Sequence, residues 1–234
     1  MTDATPASVP AGVTVVGHAA GLAAGGRPEE LRKLLSRDAR QVAPELLGAV
    51  LTHEGRDGPV SVRITEVEAY LGPHDSLHPD PGSHTFRGAT ARNAVMFGPA
   101  GHLYVYFTYG MHHCANIVCG PEGVASAVLL RAGEIVAGES LALKRRPTSK
   151  ASKDLASGPA RLATALGITT ADSGRDALLA PFRLELPAVQ AVDVLSGPRV
   201  GVSGAGGTDD YPWRFWLSGD PTVSRYKAAK VRLK

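Results

Sequence analysis

Hydrophobic positions along the chain change period in a way that separates helix from strand. Around Pro28 the spacing is helical: Leu31, Leu34 and Leu35 fall on one stripe, and the acids Glu29 and Glu30 precede the bases Lys33 and Arg37. Pro fits a first helical turn, and this order of charges complements the helix dipole. From Val50 the pattern turns to strands. Val60, Val62 and Ile64 alternate with Ser61, Arg63 and Thr65, which predicts a strand with one buried face. Leu103–Tyr109 and His113–Cys119 read as two strands joined by a tight turn at residues 109–112, and Val124–Ala132 reads as a third. Residues 157–167 are helical in pattern, with Ser157 available as a cap and Pro159 near the first turn. Val200–Val202 and Arg214–Leu217 suggest late strands. The architecture expected is one mixed α+β domain over residues 27–234 with a strand-rich core, preceded by a flexible, nearly uncharged tail over residues 1–26.

Composition narrows the class. Hydrophobic residues make up 44% and charged residues 20% of the 234, which excludes a mostly disordered chain. No apolar run reaches the length of a membrane span, and the N-terminal stretch has no basic region preceding it. Two cysteines, Cys114 and Cys119, cannot build a disulfide framework, so an intracellular (cytoplasmic) setting is expected. The net charge of +3 is mild, but it is unevenly placed. Arg225, Lys227, Lys230, Arg232 and Lys234 crowd the C-terminus without an acid, and Lys144, Arg145, Arg146, Lys150 and Lys153 form a second cluster. Each is either a solvated face or a nucleic-acid contact.

Three features carry candidate chemistry. The parity of Val60, Val62 and Ile64 runs on into Glu66, Glu68 and Tyr70, placing carboxylates in line with a buried face just before a long loop at residues 72–101. Loops of that length inside a domain are often functional. In the 124–132 strand Arg131 shares a face with Ala125, Ala127 and Leu129, so it requires a partner, and a neighbouring carboxylate is the natural one. Tyr104, Tyr106 and Tyr109 cluster within six residues, the last at a hairpin tip beside Gly110. Cross-strand packing accounts for the first two; a ring at a tip suits insertion between bases. His112-His113-Cys114 with Cys119 does not match a zinc-knuckle spacing. Phosphate-binding glycine loops, dinucleotide fingerprints and nucleophile elbows are absent, which favours chemistry with water and side chains only, without metal or cofactor.

In order along residues 40–225, the segments Glu66–Pro73, Arg92–Pro99, Leu103–Met111, Val128–Arg131, Ser157–Pro159, Pro198–Val202 and Pro212–Phe215 resemble the alkyladenine-type 3-methyladenine DNA glycosylases. The resemblance implies a curved, mainly antiparallel core surrounded by helices, with a protruding β-hairpin. It implies that Glu68 is the general base activating the attacking water and that Arg131 helps to position it. Tyr70 and Tyr106 would sandwich an extruded base, with a pocket histidine on one side. Tyr109 would insert into the minor groove, and Asn116 and Leu129 would line the pocket and reject the extra amino group of guanine. The stretch after Tyr70 is a few residues longer than the family pattern and holds His74, His78 and His84; Ser83–Gly88 fits best, so His84 is the pocket candidate. The partner implied is double-stranded DNA carrying damaged purines, bound by a monomer. No lysine lies in these motifs to form a Schiff base, so hydrolysis without strand cleavage is expected. Two other readings stand beside it, a nucleic-acid-binding module without activity and a nucleoside hydrolase acting on small molecules.

Overall fold

The computed structural model describes residues 14–16, 27–108, 110–187, 189, 191 and 193–229, and within them the chain joins its sheet early. Thr14–Val16 (β1) pairs with a late strand, so the segment expected to be a tail contributes an edge; the rest of residues 1–26 lies outside the described residues. Pro28–Leu35 (α1) forms as its pattern predicts, with Leu31, Leu34 and Leu35 buried and Glu30 accepting the Arg27 backbone N–H. A second helix, Ala39–Glu45 (α2), starts where the Asp38 carboxylate accepts the Arg40 N–H at 2.8 Å. Val50–Gly55 (β2) and Gly58–Tyr70 (β3) follow as a hairpin turning on Arg56-Asp57. Leu103–Thr108 (β4) and His112–Val118 (β5) form the second hairpin, and Ala127–Ala137 (β6) extends five residues past its predicted end. The other α-helices and strands are Glu139–Arg145 (α3), Ala156–Ser157 (β7), Pro159–Leu166 (α4), Phe182–Glu185 (β8), Val194–Gly197 (β9) and Arg214–Leu217 (β10), with short 3-10 turns between them.

Among the described residues the named strands all pair antiparallel, in the order β1-β9-β10-β3-β6-β5-β4, with β2 and β8 added beside the first half of β3 and β7 beside β6. The molecule is thus an α+β fold around a single open sheet. One face carries the main core: Leu35, Val42 and Leu46 from the α1–α2 region and Leu162, Ala163 and Leu166 from α4 cover the sheet side chains.

Two of the expected strand details differ. Ser157 belongs to β7, and the N-cap of α4 is Gly158 at φ +122°, a conformation that favours glycine over a serine cap. Val200–Val202 is not a strand; it is a loop beside the buried Arg199.

The pairing of β3 with β6 contains the feature that positions the site. Ile64 opposes Gly133 and Glu66 opposes Ala132, so Thr65 is an extra residue on β3; Glu66 then opposes Ala132 and Val67 opposes Leu130, so Arg131 is extra on β6. A bulge reverses which parity faces the core. Before it Val60, Val62 and Ile64 enter the core, and after it Val67, Ala69 and Leu71 do. Simple alternation would have carried Glu66, Glu68 and Tyr70 onto the apolar face; the bulge turns them to the opposite one. Gly133 makes this crossing possible, because a Cβ there would meet the Arg63 carbonyl oxygen at 2.5 Å and collide with Val62. Gly133→Ala is expected to destabilise the protein by about 2 kcal/mol, measured as a lower urea midpoint; an unchanged midpoint would show that the crossing is not close-packed.

Candidate active site

On the face away from the core, directly opposed residues form a row across five strands. Tyr104 opposes Asn116, Asn116 opposes Leu129, Leu129 opposes Glu68 and Glu68 opposes Arg214. Opposed residues of antiparallel strands point to the same side. The row therefore brings together residues distant along the chain, and beside it Glu66 and Arg214, 148 residues apart, bond each other. Above it lies a cavity of about 440 Å³, a size typical of small-molecule sites. Its walls include Tyr70, His84, Tyr104, Tyr106, Asn116, Leu129 and Arg131.

Glu66 and Glu68 are both fully buried, and each is satisfied differently. Glu66 Oε1 accepts from Arg131 Nε at 2.8 Å and Arg214 Nε at 2.7 Å, while its Oε2 accepts the Ser224 backbone N–H at 2.7 Å. Burial pushes its carboxyl upward, but Arg131, Arg214 and the Ser224 bond outweigh that and hold it below its usual 4.5. Glu68 Oε2 accepts from the Tyr70 hydroxyl at 2.8 Å and Arg131 Nη1 at 3.2 Å, and Oε1 accepts the Val200 N–H at 2.7 Å. All three partners of Glu68 line the cavity, whereas Arg131 is the one partner of Glu66 that does. Glu68 therefore lies immediately behind the cavity wall, and Glu66 lies one layer deeper as the anchor of Arg131. Burial pushes the Tyr70 phenol well above its usual value, and the Glu68 charge adds to this, so the hydroxyl remains a donor.

Two loops close the walls. Arg199 makes a paired bond to Asp80, 2.7 Å on each branch, and also donates to the carbonyls of Ala69 and Gly206. Asp80 in turn accepts the N–H groups of Leu71 and Gly82. This bidentate clamp fixes the 72–101 loop against the 199–206 loop. The Arg199 guanidinium also sits 4.5 Å from the Tyr70 ring centroid, covering one face of that ring.

Of the three histidines, His84 reaches the cavity. Its Nδ1 lies 3.1 Å from the Tyr104 hydroxyl, and its ring stands nearly perpendicular to Tyr106 at 4.5 Å between centroids. Burial, with a contribution from Arg92, holds its imidazole below the usual 6.5 and so favours the neutral ring. His74 bonds the Phe86 carbonyl and His78 lines a separate groove with Asp38 and Leu77. Tyr109 lies outside the described residues; the neighbouring Met111 is exposed at the end of the hairpin. Cys114 lines the cavity beside Tyr106, while Cys119 is in the core.

The sequence reading missed Asp80, Arg199, Arg214 and Ser224. Arg214 carried a usable signal, since it follows Trp213 in a short apolar strand and must be paired if buried. Asp80 and Ser224 sit in polar loops that look solvated. Because the Glu66 carboxyl is lowered on folding, the stability it contributes is full above its unfolded value of 4.5 and is lost as pH falls through the lower folded value. Glu66→Gln is expected to cost about 3 kcal/mol at pH 7, with the difference from wild type shrinking below pH 4.5; denaturant midpoints across this range check it, and a pH-independent difference would contradict it.

Comparison with known proteins gives the family. The family model described as methylpurine-DNA glycosylase matches residues 33–221. A protein of Leifsonia xyli named "Putative 3-methyladenine DNA glycosylase" is 60% identical over 191 residues, 80% of this chain and 87% of its own. Proteins with the same name from Streptomyces avermitilis and Nocardia farcinica are 55% identical over 216 residues (90% of this chain, 98% of theirs) and 52% over 193 (81% and 88%). With a family model matched across most of its length and relatives more than half identical to it, the chain belongs to the methylpurine-DNA glycosylase family.

Proposed function

We propose that the protein is a DNA-repair glycosylase that extrudes an alkylated or deaminated purine from duplex DNA and hydrolyses its N-glycosidic bond, leaving an abasic site. The observation that carries this reading is Glu68, a buried carboxylate whose every partner lines an aromatic-walled cavity. A base inside a duplex is out of reach of such a cavity, so the nucleotide must turn out of the helix; glycosylases are a standard case of this behaviour. The base enters between Tyr70 on one side and the His84–Tyr106 pair on the other. Purines such as 3-methyladenine carry positive charge, which the tyrosine faces attract. A neutral His84 adds no repulsion. Asn116 and Leu129, adjacent on the cavity floor, exclude the amino group of guanine.

In the chemical step, Glu68 takes a proton from water as the water oxygen bonds to the sugar C1′. The C1′–N bond breaks and its electron pair leaves with the base; that pair neutralises a cationic alkylated purine, whereas a neutral deaminated purine also takes up a proton from solvent water as it departs. Positive charge builds on the sugar meanwhile, and the buried carboxylate stabilises it. Arg131 holds Glu68 through Nη1 and positions the water. No lysine lines the cavity among the described residues, which supports hydrolysis without a Schiff base or strand cleavage. Tyr109, between Thr108 and Gly110, fills the gap that the extruded nucleotide leaves.

The direct test is base release from duplexes carrying one hypoxanthine or alkylated purine, with chelator present. Release that leaves an intact abasic strand is expected; DNA binding with no release from any lesion would favour a binding module instead. Glu68→Gln is expected to keep binding to damaged duplex and to lower single-turnover release at least 100-fold, the usual scale of general-base loss; near wild-type turnover would sink the mechanism. Tyr109→Ala is expected to weaken binding to damaged duplex more than to undamaged duplex, and equal losses in a gel-shift titration would remove the wedge role.

A further inference from the structure

The basic cluster at residues 144–153 does not act as one patch. Arg145 turns inward and donates to the Ala165 carbonyl at 3.0 Å, a structural bond. Arg146 and Lys150 instead line a second cavity of about 310 Å³ together with Arg161, the hydroxyl residues Thr148 and Ser149, and one acid, Asp154. Three cations thus surround one carboxylate. Among the described residues none of the three forms an ion pair, and the Arg146 Nε is buried without a hydrogen-bond partner. The charge of Arg161 is felt at Arg146 and, after burial, is the next cause holding that guanidinium below its ordinary value; Asp154 opposes it only in part. Two guanidiniums that repel each other around a cavity, one with an unsatisfied buried donor, form a site that a multiply accepting anion completes.

The location relative to the base cavity indicates which anion. Pro159 and Ala160, at the start of α4, line the base cavity, and Arg161, the next residue, lines the basic one. From this geometry we infer that Arg146, Lys150 and Arg161 form a built site for a phosphodiester of the DNA strand whose base occupies the neighbouring cavity. The inference rests on the glycosylase reading and assigns a register to it: α4 presents its first turn to the extracted nucleotide and its next residue to the backbone of the same strand. Thr148 supplies a hydroxyl donor for a remaining phosphate oxygen, whereas the Ser149 hydroxyl is committed to the Ala151 carbonyl at 3.2 Å. Contacts of this kind carry affinity without base preference.

The test compares wild type with Arg161→Gln, a change at an exposed residue, and with the double variant Arg146→Gln/Arg161→Gln, after confirming that melting temperatures are retained. Dissociation constants for a lesion duplex and a lesion-free duplex are measured against potassium chloride concentration. The double variant is expected to bind both duplexes about tenfold more weakly, with the slope of log affinity against log salt reduced by roughly one; Arg161→Gln shifts both in the same direction by less. An active wild type with unchanged slopes in both variants would overturn this inference alone, whereas a wild type that releases no base would overturn the glycosylase reading on which it rests. Inorganic phosphate serves as the second probe. Calorimetric binding of phosphate that vanishes in the double variant, with duplex slopes unchanged, would assign the cavity to free phosphate and overturn the DNA assignment.

Discussion

Two carboxylates and two guanidiniums share the buried space beneath the candidate site, and the surrounding structure is arranged to hold them there. Removing each ion from water carries a large desolvation penalty, recovered only when nearly every lone pair and N–H finds a partner. Glu66 meets this with two arginines and a backbone N–H, and Glu68 meets it with Arg131, Tyr70 and the Val200 N–H. The partners come from β3, β6, β10, the loop at Val200 and the segment around Ser224. An apolar replacement of similar volume would stabilise such a site as well or better, so stability alone does not explain the charges. A fixed carboxylate beside a cavity is useful where positive charge develops during a reaction, because its orientation is set in advance.

The same economy of partners governs the loops. Without Asp80, the Arg199 guanidinium would be an uncompensated buried charge; with it, two long loops that have little secondary structure are locked together. Gly82 and Gly206 meet at this junction, where a Cβ on either would collide with its neighbours. The wall of the cavity is therefore as well determined as the sheet beneath it, and the covered face of Tyr70 leaves the other face to the cavity. Rigid support of this kind is what a binding constellation requires when its groups come from loops.

Much of the sheet was legible because its signals are local. Alternation in Val60–Ile64, the antiparallel pairing of β4 with β5, and the Leu stripe of α1 depend on neighbours within a few residues, and each forms as predicted. The helices α2 and α3 and the strands β8 and β9 are short, and their patterns are weak over so few positions. Val200–Val202 has strand-forming residues but becomes loop because Arg199 and the Val200 N–H are committed to Asp80 and Glu68. The bulge at Thr65 was not readable: a single extra residue leaves no mark on composition or periodicity, and its presence depends on the register that β6 imposes.

Sequence alone determined which residue types are candidates for the chemistry, because a glutamate and an arginine within apolar strands require partners wherever they fold. It also determined the order of the motifs and hence the family resemblance. Tertiary structure decided which face those residues occupy, since the opposed bulges turn Glu66 and Glu68 away from the core. It decided which histidine reaches the aromatic wall and which cations of the basic cluster remain unpaired. Those outcomes depend on contacts between segments as much as 158 residues apart, such as Ser224 with Glu66. Periodicity reports the neighbours along the chain, whereas pairing of a buried charge is settled by whatever the fold brings within hydrogen-bonding distance.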